Sequence, residues 1–541
     1  MSDGTFRVPT PVNEPVLGYA PGSPERASLA SEIEAMAREP VEAPCVIGGR
    51  EVRTGQRFTV RAPHRHDLEL AEVHSAGRAE VEQAVAAALA ARHDWASTPF
   101  EHRAAVFLRA ADLLATSWRD RLNAATILGQ SKSVLQAEID EACELIDFLR
   151  FNVAFAERLY DEQPASGPGE WNRLDHRPLE GFVLAMTPFN FTAIAGNLPT
   201  APAMVGNTVV WKPSEKQVLA AQLTMELLEA AGLPDGVINL VHGDGATIAD
   251  IALADRRFAA LHFTGSEAAM TSLWGKIGAN VGNYASFPRI VGESGGKDFV
   301  VAHPSAPTEQ LAVALARGSF EYQGQKCSAA SRAYLPRSRW PEIRDQLADV
   351  TRELTMGDVG EDLSTWMGAV IDGVAFAKHR DAIARAIDEG ADRLVGTDPD
   401  DSEGWFVPPT VLVTEDPRAH TMVTELFGPI LTVHVYDDAD FDAILDEVDA
   451  ATPYALTGAI FAQDRAVVKQ ATDRLRHAAG NLYINDKPTG SVVGRQPFGG
   501  ARRSGTNDKA GSLLNMMRWI SPRAIKETSD APLDWRYPHQ G

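Results

Sequence analysis

Gly181-Phe182-Val183-Leu184-Ala185-Met186 is an unbroken apolar run of strand length, followed by a helical pattern over 192–205. The unit then recurs. Strand 208–211 precedes helix 217–231, strand 237–241 precedes helix 246–254, and strand 259–263 precedes a helix opening after Gly265-Ser266. Buried strands alternating with helices predict a parallel, doubly wound α/β sheet. Such a sheet binds ligands beyond the C-terminal ends of its strands. A second α/β segment runs from about 297 to 497, and at 541 residues roughly two to four domains are expected.

Upstream, residues 1–44 read as an extended arm with one helix near 24–38, capped by Ser23. The runs 45–47 and 58–60 flank Gly48-Gly49 and predict a small hairpin. Helices are expected over 79–95 and 101–116, with a long one over 133–160. Cys143 in that helix and Cys45 in the hairpin read as buried structural thiols. Residues 163–177 break the helical pattern and suit a loop or protruding hairpin, and the tail from Asn515 suits packing on a partner. His64 and His66 match no metal-binding spacing and read as solvated loop, so no metal is expected.

The formal net charge of −22 argues against nucleic acid and against anionic membranes. Three scattered cysteines suit a reducing compartment, and no apolar run approaches the roughly 20 residues that span a bilayer. The first residues have neither a basic-then-apolar leader nor an Arg-rich amphipathic segment, so a cytoplasmic location is expected.

Chemistry-bearing residues gather at predicted strand ends. No G-x-G-x-x-G occurs. Trp211-Lys212-Pro213-Ser214-Glu215 puts a cation beside a carboxylate that can accept both ribose hydroxyls and would repel a 2′-phosphate. Thr264-Gly265-Ser266 opens a helix whose free amides suit a pyrophosphate, although the serine can equally cap that helix. Thr187-Pro188-Phe189-Asn190-Phe191 ends a strand with an amide, and Gly292-Glu293-Ser294-Gly295-Gly296-Lys297 places a carboxylate on a glycine-rich turn. Glu321-Tyr322-Gln323-Gly324-Gln325-Lys326-Cys327-Ser328 sets a cysteine in a polar Gly/Gln context, as an exposed, addressable thiol. Thiol, carboxylate and amide together suit acyl chemistry.

In this order, and with Glu425-Leu426-Phe427-Gly428-Pro429 added, the motifs resemble the aldehyde dehydrogenase superfamily from about residue 40 to the C-terminus. Asn485-Asp486-Lys487-Pro488-Thr489-Gly490-Ser491 resembles its L-glutamate γ-semialdehyde (1-pyrroline-5-carboxylate) dehydrogenase branch. So do Gln496-Pro497-Phe498-Gly499-Gly500 and Ser504-Gly505-Thr506-Asn507-Asp508-Lys509. Met270 departs from the glycine that many members of the wider superfamily carry there.

The resemblance implies Cys327 as nucleophile, Glu293 as the base that activates water, and Asn190 as oxyanion donor. It implies NAD held by Pro188, Lys212, Glu215, Gly265, Ser266, Glu425 and Phe427. Ser328, Gly490 and Ser491 would anchor the substrate carboxylate, with Phe191 and Phe498 around its chain. Glu141 and Glu144 can face its ammonium, but a solvated helix face is the reading preferred for them. The implied reaction is NAD-dependent oxidation of L-glutamate γ-semialdehyde to L-glutamate, the second step of proline catabolism. Another acidic semialdehyde, such as succinate semialdehyde, and a catalytically silent homologue are the alternatives.

The implied architecture is a Rossmann-like NAD domain over 40–151 and 178–292, a catalytic α/β domain over 293–511, and a small β oligomerisation flap. The flap comes from 152–177 and the tail 512–541, and residues 1–39 form the N-terminal arm. A homo-oligomer, at least a dimer, is expected. The aldehyde would be supplied by a separate proline dehydrogenase, a route that permits transient contact with that enzyme.

Overall fold

The computed structural model describes residues 6–541, so the first five residues of the N-terminal arm lie outside it. Two seven-stranded sheets organise the chain. In the first, Arg289–Glu293, Phe258–Thr264, Phe182–Met186, Thr208–Lys212 and Ile238–Leu240 lie side by side, all parallel. Every side chain of Phe182–Met186 is buried, as a central parallel strand covered on both faces requires. Each large apolar side chain so buried contributes about 1.5–3 kcal/mol. The register aligns Met186 with Lys212 and Thr264 with Glu293, so the strand ends form one rim.

Cys45–Ile47 and Arg50–Val52 extend this sheet in antiparallel pairing. They correct the predicted hairpin. Gly48 and Gly49 both take positive φ (58° and 70°), so a two-residue turn closes at once on Arg50. Phe58–Val60 lies instead in Arg57–Ala62, within a separate three-stranded sheet. Cys45 and Cys143 are buried as expected. His64 is not solvated: its ring is buried, 3.3 Å from Asp358 and 3.1 Å from Ser131 Oγ.

The second sheet runs Asp392–Val395, Thr410–Thr414, Ile430–Tyr436, Ala330–Pro336, Asp298–Ala302, Thr457–Phe461, Asn481–Ile484, parallel except for its first strand. Only Ser294-Gly295-Gly296-Lys297 separates the edge strand of the first sheet from Asp298–Ala302, an interior strand of the second. Glu293 therefore sits where the two sheets meet. The predicted long helix is Val134–Ala137, a π-helical stretch Glu138–Cys143, and Glu144–Asp161. The helix Arg119–Gln130 before it was not anticipated. Segment 163–177 and the tail prove to be partners: Glu170–Pro178 pairs antiparallel with Ile520–Thr528 in a two-stranded ribbon.

Candidate active site

Glu293 and Cys327 line one cavity of about 60 Å³, together with Glu144, His262, Phe498, Asp508 and Lys509. Glu293 is aimed by its strand, and Gly500 N–H donates to both of its oxygens (2.9 and 3.3 Å). Burial pushes its carboxyl up to about 8, against the Gly500 bond and the Lys509 charge. Upstream, Gly292 leaves no room for a side chain, because a Cβ there would fall 2.0 Å from Met270 Cε. That buried methionine backs the base strand at the position where the sequence departs from the wider superfamily.

Cys327 is half-buried rather than freely exposed. Its loop is strained: Tyr322 and Gln323 take φ of 51° and 54°, conformations that cost on the order of 1–3 kcal/mol each outside glycine. Side chains hold the strain in place. Gln323 Nε2 donates to Ser131 O (2.9 Å) and Ala369 O (2.8 Å), and Gln325 Oε1 accepts from Ile371 N (2.9 Å). Asn190 Nδ2 donates to Gln325 O at 3.0 Å, which ties the amide to the loop carrying the thiol. Burial first, then Glu293, Asp298, Glu425 and Glu144, pushes the thiol well above its ordinary range. At neutral pH it rests protonated.

Beneath this loop lies a buried ionic cluster. Lys132 Nζ meets Glu141 at 2.5 Å and Asp140 at 3.3 Å, and Lys326 meets Asp140 at 3.0 Å and Glu321 at 3.4 Å. Against the burial that would raise it, Lys326 and Lys132 hold Asp140 below the usual carboxylate range. Lys132 also faces the rings of Phe191 (4.1 Å) and Tyr322 (4.4 Å). The solvated-face reading of Glu141 and Glu144 is therefore corrected. Glu141 is fully buried and accepts from Ala193 N, while Glu144 lines the cavity beside the thiol. The π-helical stretch supplies the reason. It shifts the helix register by about one residue, so a phase read at 3.6 residues per turn points the wrong way.

The expected substrate loop lies next to the thiol. Ser328 Oγ is 2.7 Å from Thr489 Oγ1, and Lys487 Nζ donates to Thr489 O at 3.1 Å beneath Gly490 and Ser491. Phe498 faces the cavity, fixed by its backbone pairing with Ala510.

The cofactor residues gather at the rim. Lys212, buried, pairs with Glu215 at 3.0 Å, and Gly245 keeps the space beside the ammonium open, since a Cβ there would come 3.4 Å from Nζ. Ser266 caps Glu267–Ala279 by accepting from Ala269 N (3.2 Å), and Gly265 N–H donates to Glu293 O (3.2 Å). Pro188 follows Thr187, whose N–H donates to Lys212 O (3.0 Å). Glu425 Oε1 accepts from Gly296 N (2.8 Å), an approach that a Cβ on Gly295 would block at 2.2 Å. Phe427, at φ 58°, stands edge-on to Phe189 at 5.8 Å. A cation with a carboxylate for ribose hydroxyls and open helix amides for a pyrophosphate fit a dinucleotide.

A sequence profile described as "Aldehyde dehydrogenase family" matches residues 51–523. The chain belongs to the aldehyde dehydrogenase family. Within it, this aldehyde dehydrogenase is similar to the crystal structure of the Delta-pyrroline-5-carboxylate dehydrogenase from Mycobacterium tuberculosis bound with NAD. They share 59% identity at a TM-score of 0.96, over 100% of each chain. It is 48% identical to the delta-1-pyrroline-5-carboxylate dehydrogenase of Agaricus bisporus, over 99% of this chain and 98% of that one. Against the mitochondrial enzyme of that name from Bos taurus it is 46% identical, over 97% and 94%. Relatives from Dictyostelium discoideum, Mus musculus and Homo sapiens also carry the mitochondrial designation, which overturns the expectation of a cytoplasmic location.

Proposed function

We propose that this aldehyde dehydrogenase oxidises L-glutamate γ-semialdehyde to L-glutamate with NAD. The observation that carries the reading is the meeting, around Cys327, of a buried carboxyl with a loop suited to an α-carboxylate. Relatives named for the same reaction over nearly the whole chain support it.

Cys327, protonated at rest, gives up its thiol proton to solvent, and the thiolate attacks the aldehyde carbon. Asn190 Nδ2 and the Cys327 N–H hold the developing oxyanion, Asn190 turning from the Gln325 carbonyl that it binds at rest. Lys212, Glu215, Gly265, Ser266, Glu425, Phe427 and Pro188 would hold NAD, which would supply the hydride acceptor; loss of the hydride from the carbon bonded to Cys327 leaves a thioester on that residue. Glu293 then takes a proton from water, whose oxygen attacks the thioester carbon and releases the acid and the thiol. Ser328, Ser491 and the Gly490 backbone anchor the substrate carboxylate, and Phe191 and Phe498 flank the aliphatic chain. In this reading the Glu144 carboxyl, which lines the cavity, meets the ammonium.

The first sheet with its helices (40–151 and 178–292) forms the NAD domain in this reading, and 293–511 the catalytic domain. The ribbon of Glu170–Pro178 and Ile520–Thr528 is marginal as an isolated pair of strands. With Trp171, Leu533 and Trp535 exposed on or beside it, a second copy of the chain is the partner that completes it. In this reading a proline dehydrogenase supplies the substrate.

NADH formation tests the reaction, comparing kcat/KM for glutamate γ-semialdehyde, succinate semialdehyde and propanal. A preference for the first supports it. Equal rates for all three defeat the anchor, and absence of NADH defeats the reading.

A further inference from the structure

Asn507-Asp508-Lys509 belongs to the branch motif, yet no step above uses it. Asn507 and Lys509 take φ of 57° and 53°, two left-handed non-glycine residues within three positions. The lysine ammonium shows what the conformation achieves. It donates to Gly480 O (2.8 Å), Gly499 O (2.9 Å) and Asn481 Oδ1 (3.2 Å). Asn481 Nδ2 in turn donates to Pro497 O (3.0 Å), and its Oδ1 accepts from Gly499 N (3.2 Å). Phe498 pairs with Ala510 through both backbone bonds (3.1 and 2.8 Å). Pro497–Gly500 is thus clamped from three sides. The next amide along, Gly500 N–H, is the one that meets the Glu293 carboxyl.

Several charged or titratable groups face Glu293. Asp298 comes from the second sheet and Asp508 from the loop after Gly505. The Cys327 thiol, Glu144 of the long helix and His262 of the neighbouring strand line the same cavity. Burial holds His262 neutral, pushing it down to about 3. Among the described residues facing Glu293, Lys509 is the cation.

We propose that Lys509 is a positioning residue for the general base: its ammonium clamps Pro497–Gly500 so that Gly500 N–H meets the Glu293 carboxylate, and its charge favours the ionised base. The inference rests on Glu293 as the base of deacylation. Asp508, close by and of opposite sign, works against ionisation. Charge removal at the two neighbours therefore shifts the base in opposite directions.

The experiment follows the NADH burst and the pH profile of kcat for the wild type, Lys509→Met, Lys509→Arg and Asp508→Asn. Propanal with saturating NAD avoids the cyclic imine of the semialdehyde. In Lys509→Met the burst amplitude is expected to persist while steady turnover falls about tenfold. Its acid limb moves up by about one pH unit, and the Arg variant restores the limb. Asp508→Asn moves the limb down. A fall in kcat with an unmoved limb would make Lys509 merely structural and overturn the proposal. If Lys509→Met fails to fold, Asp508→Asn decides, and an unmoved limb there overturns it equally. A wild type without a burst would bring down the deacylation reading, and this inference with it.

Discussion

Two clusters of buried ionisable groups lie on either side of Cys327, and they are built on opposite principles. Beneath the loop, Lys132, Asp140, Glu141, Lys326 and Glu321 are paired at 2.5–3.4 Å. Across the cavity, Asp298 and Lys297 are buried and Glu293 and Glu425 half-buried, with no ion pair to any of the four among the described residues. Glu293 and Asp298 are raised to about 8 by burial, and Lys297 is lowered to about 7 by burial and Arg332. Among the described residues, Lys297 Nζ has no hydrogen-bond partner. Paired charges fix a loop. Unpaired ones keep protons within reach of exchange near neutral pH, which is what a base requires. The difference separates scaffold from chemistry.

The largest effect should come from the residue between the clusters. Cys327→Ala removes the atom on which both half-reactions occur, so NADH formation should fall on the order of 10⁴-fold or more with every aldehyde. Residual activity within tenfold of wild type would place the nucleophile elsewhere. Glu293→Gln breaks the unpaired cluster at its base. The NADH burst should survive while steady turnover drops about 10²- to 10⁴-fold. In the wild type, turnover should rise as pH climbs through about 8, because a base whose pKa is raised is inactive below it. Undiminished turnover in the glutamine variant would remove Glu293 from the mechanism.

Stability sharpens the contrast. Lys132→Met leaves Glu141 and Asp140 buried with less countercharge, and removing one partner of a buried pair costs about 3–5 kcal/mol. Lys297→Met removes a buried amine that has no hydrogen-bond partner among the described residues, so it should change stability by less than about 1 kcal/mol or add to it. Denaturant midpoints for the pair of variants check this. Equal losses in both would erase the distinction drawn between the clusters.

The same contrast explains what was legible in the sequence. Strand–helix alternation and the strand-end motifs are local signals, so four strands of the first sheet and the rim carrying Lys212 and Ser266 could be read directly, whereas Arg289–Glu293, read as a glycine-rich turn, is a strand. The ionic cluster could not. Its members come from 132, 140, 141, 321 and 326, brought together by tertiary packing, and the π-helical stretch spoils the periodicity that would have shown Asp140 and Glu141 inward. His64 misled for a related reason: its partners, Ser131 and Asp358, are distant in sequence. The hairpin was placed correctly at Gly48-Gly49 but given the wrong second strand. Turn chemistry locates a reversal without stating how soon the chain pairs again.

The smallest predicted effect tests where scaffold gives way to specificity. Lys487 lies 3.7 Å from Glu321 of the paired cluster and donates to Thr489 O, so the Gly490-Ser491 loop rests on the scaffold side of the cavity. If the division holds, Ser491 contributes to carboxylate binding and nothing to the acyl chemistry. One hydrogen bond to a charged group contributes about 1.5–3 kcal/mol. Ser491→Ala should therefore raise KM for glutamate γ-semialdehyde by about 10- to 10²-fold, with kcat retained and propanal unaffected. An equal loss with propanal would mean that the loop shapes the thiol's surroundings directly. The boundary between the two clusters would then have to be drawn on the other side of Ser328, whose hydroxyl joins that loop to the residue after the nucleophile.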